Sequence, residues 1–424
     1  MGIQAIGSFK RNVITLMGGS ALAQVIPLLA TPLLTRIYSP EQFGALAILL
    51  AIANPLSLLV CGRYEMTIVL PKDDREARPL LQGSLGVAVL MAVLLGSLIW
   101  IFHDVLLGWL GVKGPGVGLA LSLSPVLFYF MGSFQALNNW LVRQRAFTAM
   151  SFNRIVQTSA ITLVSVAFGL WAMEYGLLFA YLIGWGLYLS FGLFQAQRKD
   201  GQVFKLKRGK VGEAIRRYRH FPLYNALPAV LNTAALSVPV FVITRLFDAD
   251  VTGQFNLTRQ AVFLPGMFIA NAFMQVYTQQ ASALVSNGQP IGSGTLRLVR
   301  FLGIIGAALA LFLIVAGPQL FSLIFGPEWG QAGDLARLMA VPFALQFVVL
   351  PLSIVLPALG RIKAYSIWQL FYFTLVLAIS FVPFTEPEDY VGALAATESI
   401  AFLILAVYLY RSIRRYDAGL VART

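Results

Sequence analysis

A few ionisable side chains stand inside long apolar runs of this sequence. Arg259 follows Val251 by eight positions, with Gln254, Asn256 and Gln260 beside it. Eight residues of helix cover roughly 12 Å at about 1.5 Å per residue, so the guanidinium lies below the outer end of its helix. A charge at that depth is costly unless it meets a cavity or a partner, and arginine does not shed its proton. Asp250, nine residues earlier, is beyond the reach of an i,i+3 or i,i+4 pair. The anion that Arg259 needs comes either from a bound substrate or from another helix. Asn256, one turn away, adds an amide to the same chemistry.

Other candidates carry their own alternatives. Glu398 is the carboxylate set deepest in a predicted helix; it serves either as a protonation site or as a packed polar contact. Arg63-Tyr64-Glu65 near an inner helix end is either a local ion pair or a headgroup contact at an entrance. Arg36 and Arg245 sit near the outer ends of two helices, where they either terminate the helix or line the mouth of a cavity. Enzyme chemistry finds little support. No phosphate-binding loop, metalloprotease motif or nucleophile elbow occurs. One cysteine, Cys61, and two histidines, His103 and His220, leave no basis for a disulfide or a Cys/His metal site. The expectation is a protein with no catalytic residue, no metal and no cofactor.

These residues must be held by membrane helices. Hydrophobic residues make up 58% of the 424 and charged residues only 12%, against about 25% charged in soluble domains. Mean hydropathy is +0.76, which also excludes a disordered chain. Twelve apolar stretches are long enough to span about 30 Å of hydrocarbon: 11–36, 43–70, 80–108, 116–142, 152–172, 175–196, 221–246, 251–280, 297–325, 331–358, 362–384 and 390–411. All but five of the 31 Lys and Arg fall in the even-numbered loops and the two tails, the exceptions being Arg36, Lys113, Arg245, Arg259 and Arg337. Both termini are therefore expected in the cytoplasm. The net charge of +13 is accounted for by topology, and nucleic acid is not expected as a partner. The long loop 197–220 carries nine cations against Asp200 and Glu213, a balance of +7, which suits anionic membrane lipids.

The two halves repeat. Thr35-Arg36-Ile37-Tyr38-Ser39-Pro40-Glu41 with Gly44 matches Thr244-Arg245-Leu246-Phe247-Asp248-Ala249-Asp250 with Gly253, at an offset of 209. Arg143 to Thr148 matches Arg361 to Ser366 at an offset of 218. The predicted fold is an all-α polytopic membrane protein of 12 transmembrane helices in two pseudo-symmetric six-helix lobes. The predicted boundaries are 1–196 for the N-lobe, 197–220 for the basic cytoplasmic linker and 221–424 for the C-lobe. Prolines 27 and 32 in the first helix and 222, 228 and 239 in the seventh mark kinks or hinges at equivalent places.

Three segments carry a family resemblance. They are Pro32 to Gly44, the run Arg63-Tyr64-Glu65-Met66-Thr67-Ile68-Val69-Leu70-Pro71 onward to Ala77, and Tyr218 to Asn225. The chain resembles the Wzx-type polysaccharide-unit (O-antigen) flippases, in the superfamily that also holds multidrug exporters and lipid II flippases. The resemblance implies alternating-access transport of an undecaprenyl-diphosphate-linked oligosaccharide from the cytoplasmic to the periplasmic leaflet of the bacterial inner membrane. It implies a lipid-linked oligosaccharide as the substrate partner and other polysaccharide-assembly proteins as further partners. Arginine suits a diphosphate through its several charge-assisted donors. The rivals are a cation-coupled multidrug exporter of the same fold and a membrane-bound glycan polymerase or ligase.

The charge placement makes a direct prediction. In a chain with Cys61 replaced, Lys205→Cys reacts with a membrane-impermeant thiol reagent in inverted vesicles and not in intact cells. Labelling from the outside would reverse the topology.

Overall fold

Proline, serine and aspartate set the helix starts of this chain, and lipid sets their lengths. In the computed structural model, described over residues 23–111, 114–205 and 208–421, each of the twelve predicted spans is helical, the first from residue 23 onward. Lys10, Arg11, Lys113, Lys207 and Arg423 lie outside the described residues. Helix α1 (Ala23–Leu34) leads through a short turn to α2 (Pro40–Val60). There Ser39 and Gln42 form a reciprocal capping box and Pro40 occupies the first turn, where its missing N–H costs nothing. A 3-10 turn, Tyr64–Val69, follows, and then α3 (Asp74–Ile101) and the short α4 (His103–Leu110). Helices α5 (Pro115–Arg143), α6 (Phe147–Leu170) and α7 (Gly176–Lys199) continue the chain. Among the described residues, seven helices are long and apolar enough to cross a membrane.

The basic stretch after α7 is not linker throughout. It contains an amphipathic helix, α8 (Arg208–Arg217), before α9 (His220–Leu246) begins. Next come α10 (Ala249–Thr258), a π-helical turn at Arg259–Phe263, and α11 (Leu264–Ser286). The last helices are α12 (Gly292–Phe325), α13 (Gly330–Leu338), α14 (Ala340–Ser353), α15 (Val355–Ala358), α16 (Ile362–Ile379) and α17 (Pro387–Val421). By packing, the chain forms two units, residues 1–253 and 254–424. The segment 197–220 and α9 both fall in the first unit, where α9 packs along α2 and α8 along α3.

In the first unit α2 and α5 form the interior, with Ile48, Leu49, Leu127, Phe128, Leu137 and Trp140 fully buried. In the second, α12 packs on α13 and α14, and α14 on α17. Asp417 from α17 accepts the Ile291 and Gly292 amides at 3.0 and 2.9 Å, which satisfies the start of α12. The outer faces are apolar. Leu90 and Val93 on α3, and Ile304, Leu311, Val315 and Leu323 on α12, are largely exposed. In water such faces would drive association; in a bilayer they meet their solvent.

The repeat at offset 209 is built into the structure atom by atom. Ser39 accepts the Gln42 amide, and its counterpart Asp248 accepts the Val251 amide at 2.8 Å. Thr35 and Thr244 are both buried, and Arg36 and Arg245 both exposed. Gly44 and Gly253 then make a reciprocal crossing, all of whose residues belong to the first unit. A Cβ on Gly44 would stand 1.8 Å from the Ala249 carbonyl oxygen, and one on Gly253 would stand 1.8 Å from that of Pro40. Because Pro40 and Ala249 are themselves repeat partners, each glycine receives the carbonyl that precedes the other.

The second match needs correction. After α5, Arg145 adopts φ 51° and the Ala146 amide bonds the Leu141 carbonyl; before α16, Gly360 adopts φ 71° and the Arg361 amide bonds the Leu356 carbonyl. Both are Schellman turns, and they pair residues 215 apart rather than 218. The sequence match slid by three residues, nearly one helical turn, because basic side chains are plentiful at this end of the helices and any of them can align.

Gly44→Ala or Gly253→Ala should each lower the unfolding midpoint in detergent, since overpacking against backbone costs about 1–3 kcal/mol. Gly86→Ala, with nothing within 4 Å of the new methyl, should not. Equal midpoints for all three would remove the crossing as a constraint.

Candidate functional site

Each unit contains a polar cluster in an otherwise apolar interior. In the first unit, Gly62 and Arg63 both take left-handed backbone, with φ 59° and 60°. For a non-glycine residue this costs about 1–2 kcal/mol, and the geometry turns the chain sharply into the 3-10 segment. Arg63 thereby comes within 3.5 Å of Glu65 and donates to Met66 Sδ at 3.1 Å. The pair is enclosed, with Arg63 9% and Glu65 2% exposed. Yet Arg63 Nε and both Glu65 oxygens make no hydrogen bond. An enclosed ion pair with that much spare hydrogen-bonding capacity is energetically poor unless something else completes it.

The turn is fixed from α5. Arg143 donates to Asp74 at 2.6 Å and to the carbonyls of Pro71 and Ile68 at 2.6 and 3.3 Å, while Gln144 donates to the other Asp74 oxygen at 3.0 Å. One guanidinium therefore ties the 3-10 turn and the start of α3 to the end of α5. Arg143, just past the predicted span 116–142, is the last residue of α5. Arg154, near the start of the predicted span 152–172, stands in the second turn of α6 because that helix starts at Phe147. Arg154 donates to Gln157 at 3.3 Å, and Asn153 and Gln195 exchange a pair of amide hydrogen bonds at 2.9 and 2.8 Å between α6 and α7. The signal was available: Asn153, Arg154, Gln157 and Thr158 recur with helical spacing.

In the second unit the focus is Glu398 on α17, 2% exposed. Gln346 from α14 donates to one carboxylate oxygen at 2.8 Å, and Tyr372 from α16 donates to the other at 2.8 Å. Arg259 lies near enough for its charge to act on Glu398 and Tyr372. Glu398 thus places a carboxylate on another helix within electrostatic reach of Arg259. The guanidinium also lies 5.7 Å from the ring centre of Phe255. Arg259 opens the π-helical turn, a local irregularity that is often functional. Asn256, one turn earlier, has a buried Nδ2 with no partner, and so does the Tyr390 hydroxyl. Gln254, grouped with Arg259 in the sequence, does other work. It donates to the Glu328 carbonyl at 2.7 Å and accepts the Ala332 amide at 3.0 Å, anchoring α10 to α13. Gln346 and Tyr372 were missed, although a lone glutamine in the apolar run of α14 was a visible clue.

The helix-end arginines are not in either cluster. Arg36 and Arg245 are exposed, and Arg245 stacks over Trp109 at 5.4 Å. Among the described residues no three His, Cys, Asp or Glu stand together to hold a metal. The chemistry left to the clusters is that of binding and proton or anion exchange.

A family model described as "Polysaccharide biosynthesis protein" matches residues 33–334. The chain belongs to this family. Among curated relatives, the succinoglycan biosynthesis transport protein ExoT of Rhizobium meliloti (strain 1021) is 21% identical over 82% of this chain and 68% of its own length. The lipopolysaccharide biosynthesis protein WzxC of Escherichia coli (strain K12) is 22% identical over 88% of this chain and 76% of its own. Among solved structures, the lipid II flippase MurJ in an inward closed conformation superposes with a TM-score of 0.75 at 12% identity, over 96% of this chain and 91% of that one. An inward-facing MATE multidrug resistance transporter gives 0.71 at 15% identity, over 95% and 96%. These likenesses establish the fold as that of a multi-pass transporter. The resemblance read from the motifs at Pro32–Gly44 and Arg63–Ala77 holds at the level of the family.

Glu398→Ala should leave Gln346 and Tyr372 without their shared acceptor. Its cost should be about 1–3 kcal/mol for each buried donor left unpaired, seen as a lower unfolding midpoint. Glu398→Gln, which keeps a carbonyl oxygen as acceptor, should lose less. If both variants unfold with the wild type, the cluster does not hold these helices together.

Proposed function

We propose that this protein flips an undecaprenyl-diphosphate-linked oligosaccharide from the cytoplasmic to the periplasmic leaflet of the bacterial inner membrane by alternating access. The observation that carries the reading is the half-buried guanidinium of Arg259 beside Glu398 in a membrane-spanning helical unit. Family membership and the transport proteins among the relatives support the substrate class.

Arg259 exchanges one anion for another. Without substrate, Glu398 balances its charge. A diphosphate offers more acceptor oxygens than one carboxylate and engages the planar donor fork at several points, so it takes Arg259 over. Glu398, deprived of its cation in a low-dielectric interior, then binds a proton. Glu398 is thus the coupling residue, and proton uptake accompanies substrate capture. Asn256, with its unpartnered amide, donates to the glycan or the diphosphate. In the first unit, the spare donor of Arg63 serves the same substrate. Arg36 and Arg245, exposed at equivalent helix ends, act at the outer mouth. Both termini and the segment 197–220 face the cytoplasm.

The multidrug-exporter reading has one observation on its side, the buried carboxylate Glu65 in the first unit. Arg63 beside it offsets the negative charge that would attract a cation, which weighs against that reading.

In proteoliposomes loaded with a lipid-linked glycan, Arg259→Ala should abolish the appearance of glycan in the opposite leaflet while protein insertion is unchanged. Arg259→Lys should retain part of the rate, because the charge remains but the fork is lost. Wild-type flipping by Arg259→Ala would end the anion-exchange mechanism.

A further inference from the structure

The segment after α7 is clamped onto the start of α3 by a set of polar contacts. Arg78 pairs with Asp200 at 2.5 Å and reaches Gln202 at 3.5 Å. Gln82 donates to the carbonyls of Val203 and Lys205 at 2.7 and 3.2 Å. Val203 is fully buried beneath them. On the other side of the segment, α8 lays its apolar edge on α3. A Cβ on Gly83 would stand 2.9 Å from the Ile215 side chain and 3.4 Å from that of Val211, so the two helices approach closely at this glycine. Arg217 reaches Glu76 at 3.7 Å. A polar clamp and an apolar contact thus fix the segment at both ends.

Between them is a cavity of about 430 Å³, lined by Arg75, Arg78, Gln82, Gln202, Lys205 and Lys210, together with Pro79. Its lining holds four cations and no carboxylate. A second cavity of about 210 Å³ shares Arg75 and Lys210 with the first but also has Glu76, Glu213 and Arg217 in its wall. In the smaller cavity two carboxylates stand among three cations, whereas the lining of the larger supplies no carboxylate of its own. Among the described residues, Arg78 of these four is ion-paired, with Asp200, while Arg75 and Lys210 share the neighbouring wall with Glu76 and Glu213. Bringing four cations together around one space is unfavourable unless an anion enters it. The two amide side chains in the same wall supply further donors, and the volume is in the range of small-ligand sites.

We infer that the cavity lined by Arg75, Arg78 and Gln82 of α3 and by Gln202, Lys205 and Lys210 is a binding site for a phosphate-bearing group. The chemistry fits a membrane phospholipid headgroup or a soluble or lipid-carried diphosphate, both of which present oxyanions to Arg and Lys. α8 is amphipathic and basic, as helices lying at headgroup level are. An occupied site neutralises the cations that face one another across the cavity and so tightens the clamp on α3. The inference does not rest on transport activity, and it concerns residues that take no part in the anion exchange at Arg259.

The test is thermal unfolding of the full-length purified protein in a neutral detergent, titrated separately with inorganic pyrophosphate, short-chain phosphatidylglycerol and short-chain phosphatidylcholine. The wild type should be stabilised by pyrophosphate, by phosphatidylglycerol or by both, and not by phosphatidylcholine. Lys205→Ala/Lys210→Ala, which removes two exposed cations and leaves the clamp intact, should require about tenfold more of the anion for the same shift, since one charged hydrogen bond is worth that much. Lys205→Arg/Lys210→Arg should respond as the wild type does. Stabilisation by pyrophosphate alone identifies a diphosphate site; by phosphatidylglycerol alone, a phospholipid site. No stabilisation by either anion, or equal stabilisation of the wild type and the alanine variant, would overturn the proposal. Because binding and not flipping is measured, that result would leave the transport reading standing.

Discussion

A cation enclosed in a hydrocarbon-facing protein must have its counter-charge, and much of this molecule is arranged around that requirement. Three guanidiniums meet it in three ways. Arg143 is held by Asp74 and two carbonyls and acts as a structural tie. Arg63 has a carboxylate beside it but leaves donors and acceptors unfilled. Arg259 shares its charge with a carboxylate that two other helices also grip. The gradation runs from Arg143, with three bonds to protein oxygens, to Arg63, with a buried donor unfilled. An arginine bound to several backbone and carboxylate oxygens cannot release them without loosening its helices.

Glu398 shows how one buried acid can unify a helical unit. Its two oxygens join α14, α16 and α17 through Gln346 and Tyr372, and the charge of Arg259 adds the π-helical turn to the set. Nearby, Gln254 and Thr258 bind α10 to α13 through Glu328 and Ala332. The helix before the irregular turn is thus anchored to one neighbour, while the turn itself answers to another group.

The helices were legible because a bilayer imposes a length and a polarity that few other environments impose. The repeat at Thr35–Gly44 was legible because cap and crossing residues are constrained by backbone geometry. Assignments failed where the chain's own punctuation was weak. The turn at Arg145–Ala146 uses a left-handed arginine in place of glycine, so the Schellman motif left no glycine to read, and the match slid to the nearest basic residue. Helix α8 was hidden by its charge, which reads as a solvated linker until Val211 and Ile215 are seen against Gly83. The partners of Glu398 were hidden for a different reason: α14, α16 and α17 bring them together from 52 and 26 residues away, and no local pattern encodes that meeting.

The glycine crossing bears on how the two halves of the chain have drifted apart. Where a repeated position contributes only backbone, the side chain differs: proline stands at 40 and alanine at 249. Where a capping oxygen is needed, serine at 39 and aspartate at 248 both supply one. Where a carbonyl oxygen occupies the place of a side chain, glycine stands in both copies. Because each glycine receives the other copy's carbonyl, the two positions form a single shared restraint, and neither copy could change alone. A duplicated segment that packs against its own duplicate thus preserves a trace of its origin at the one spot where it has no room to vary.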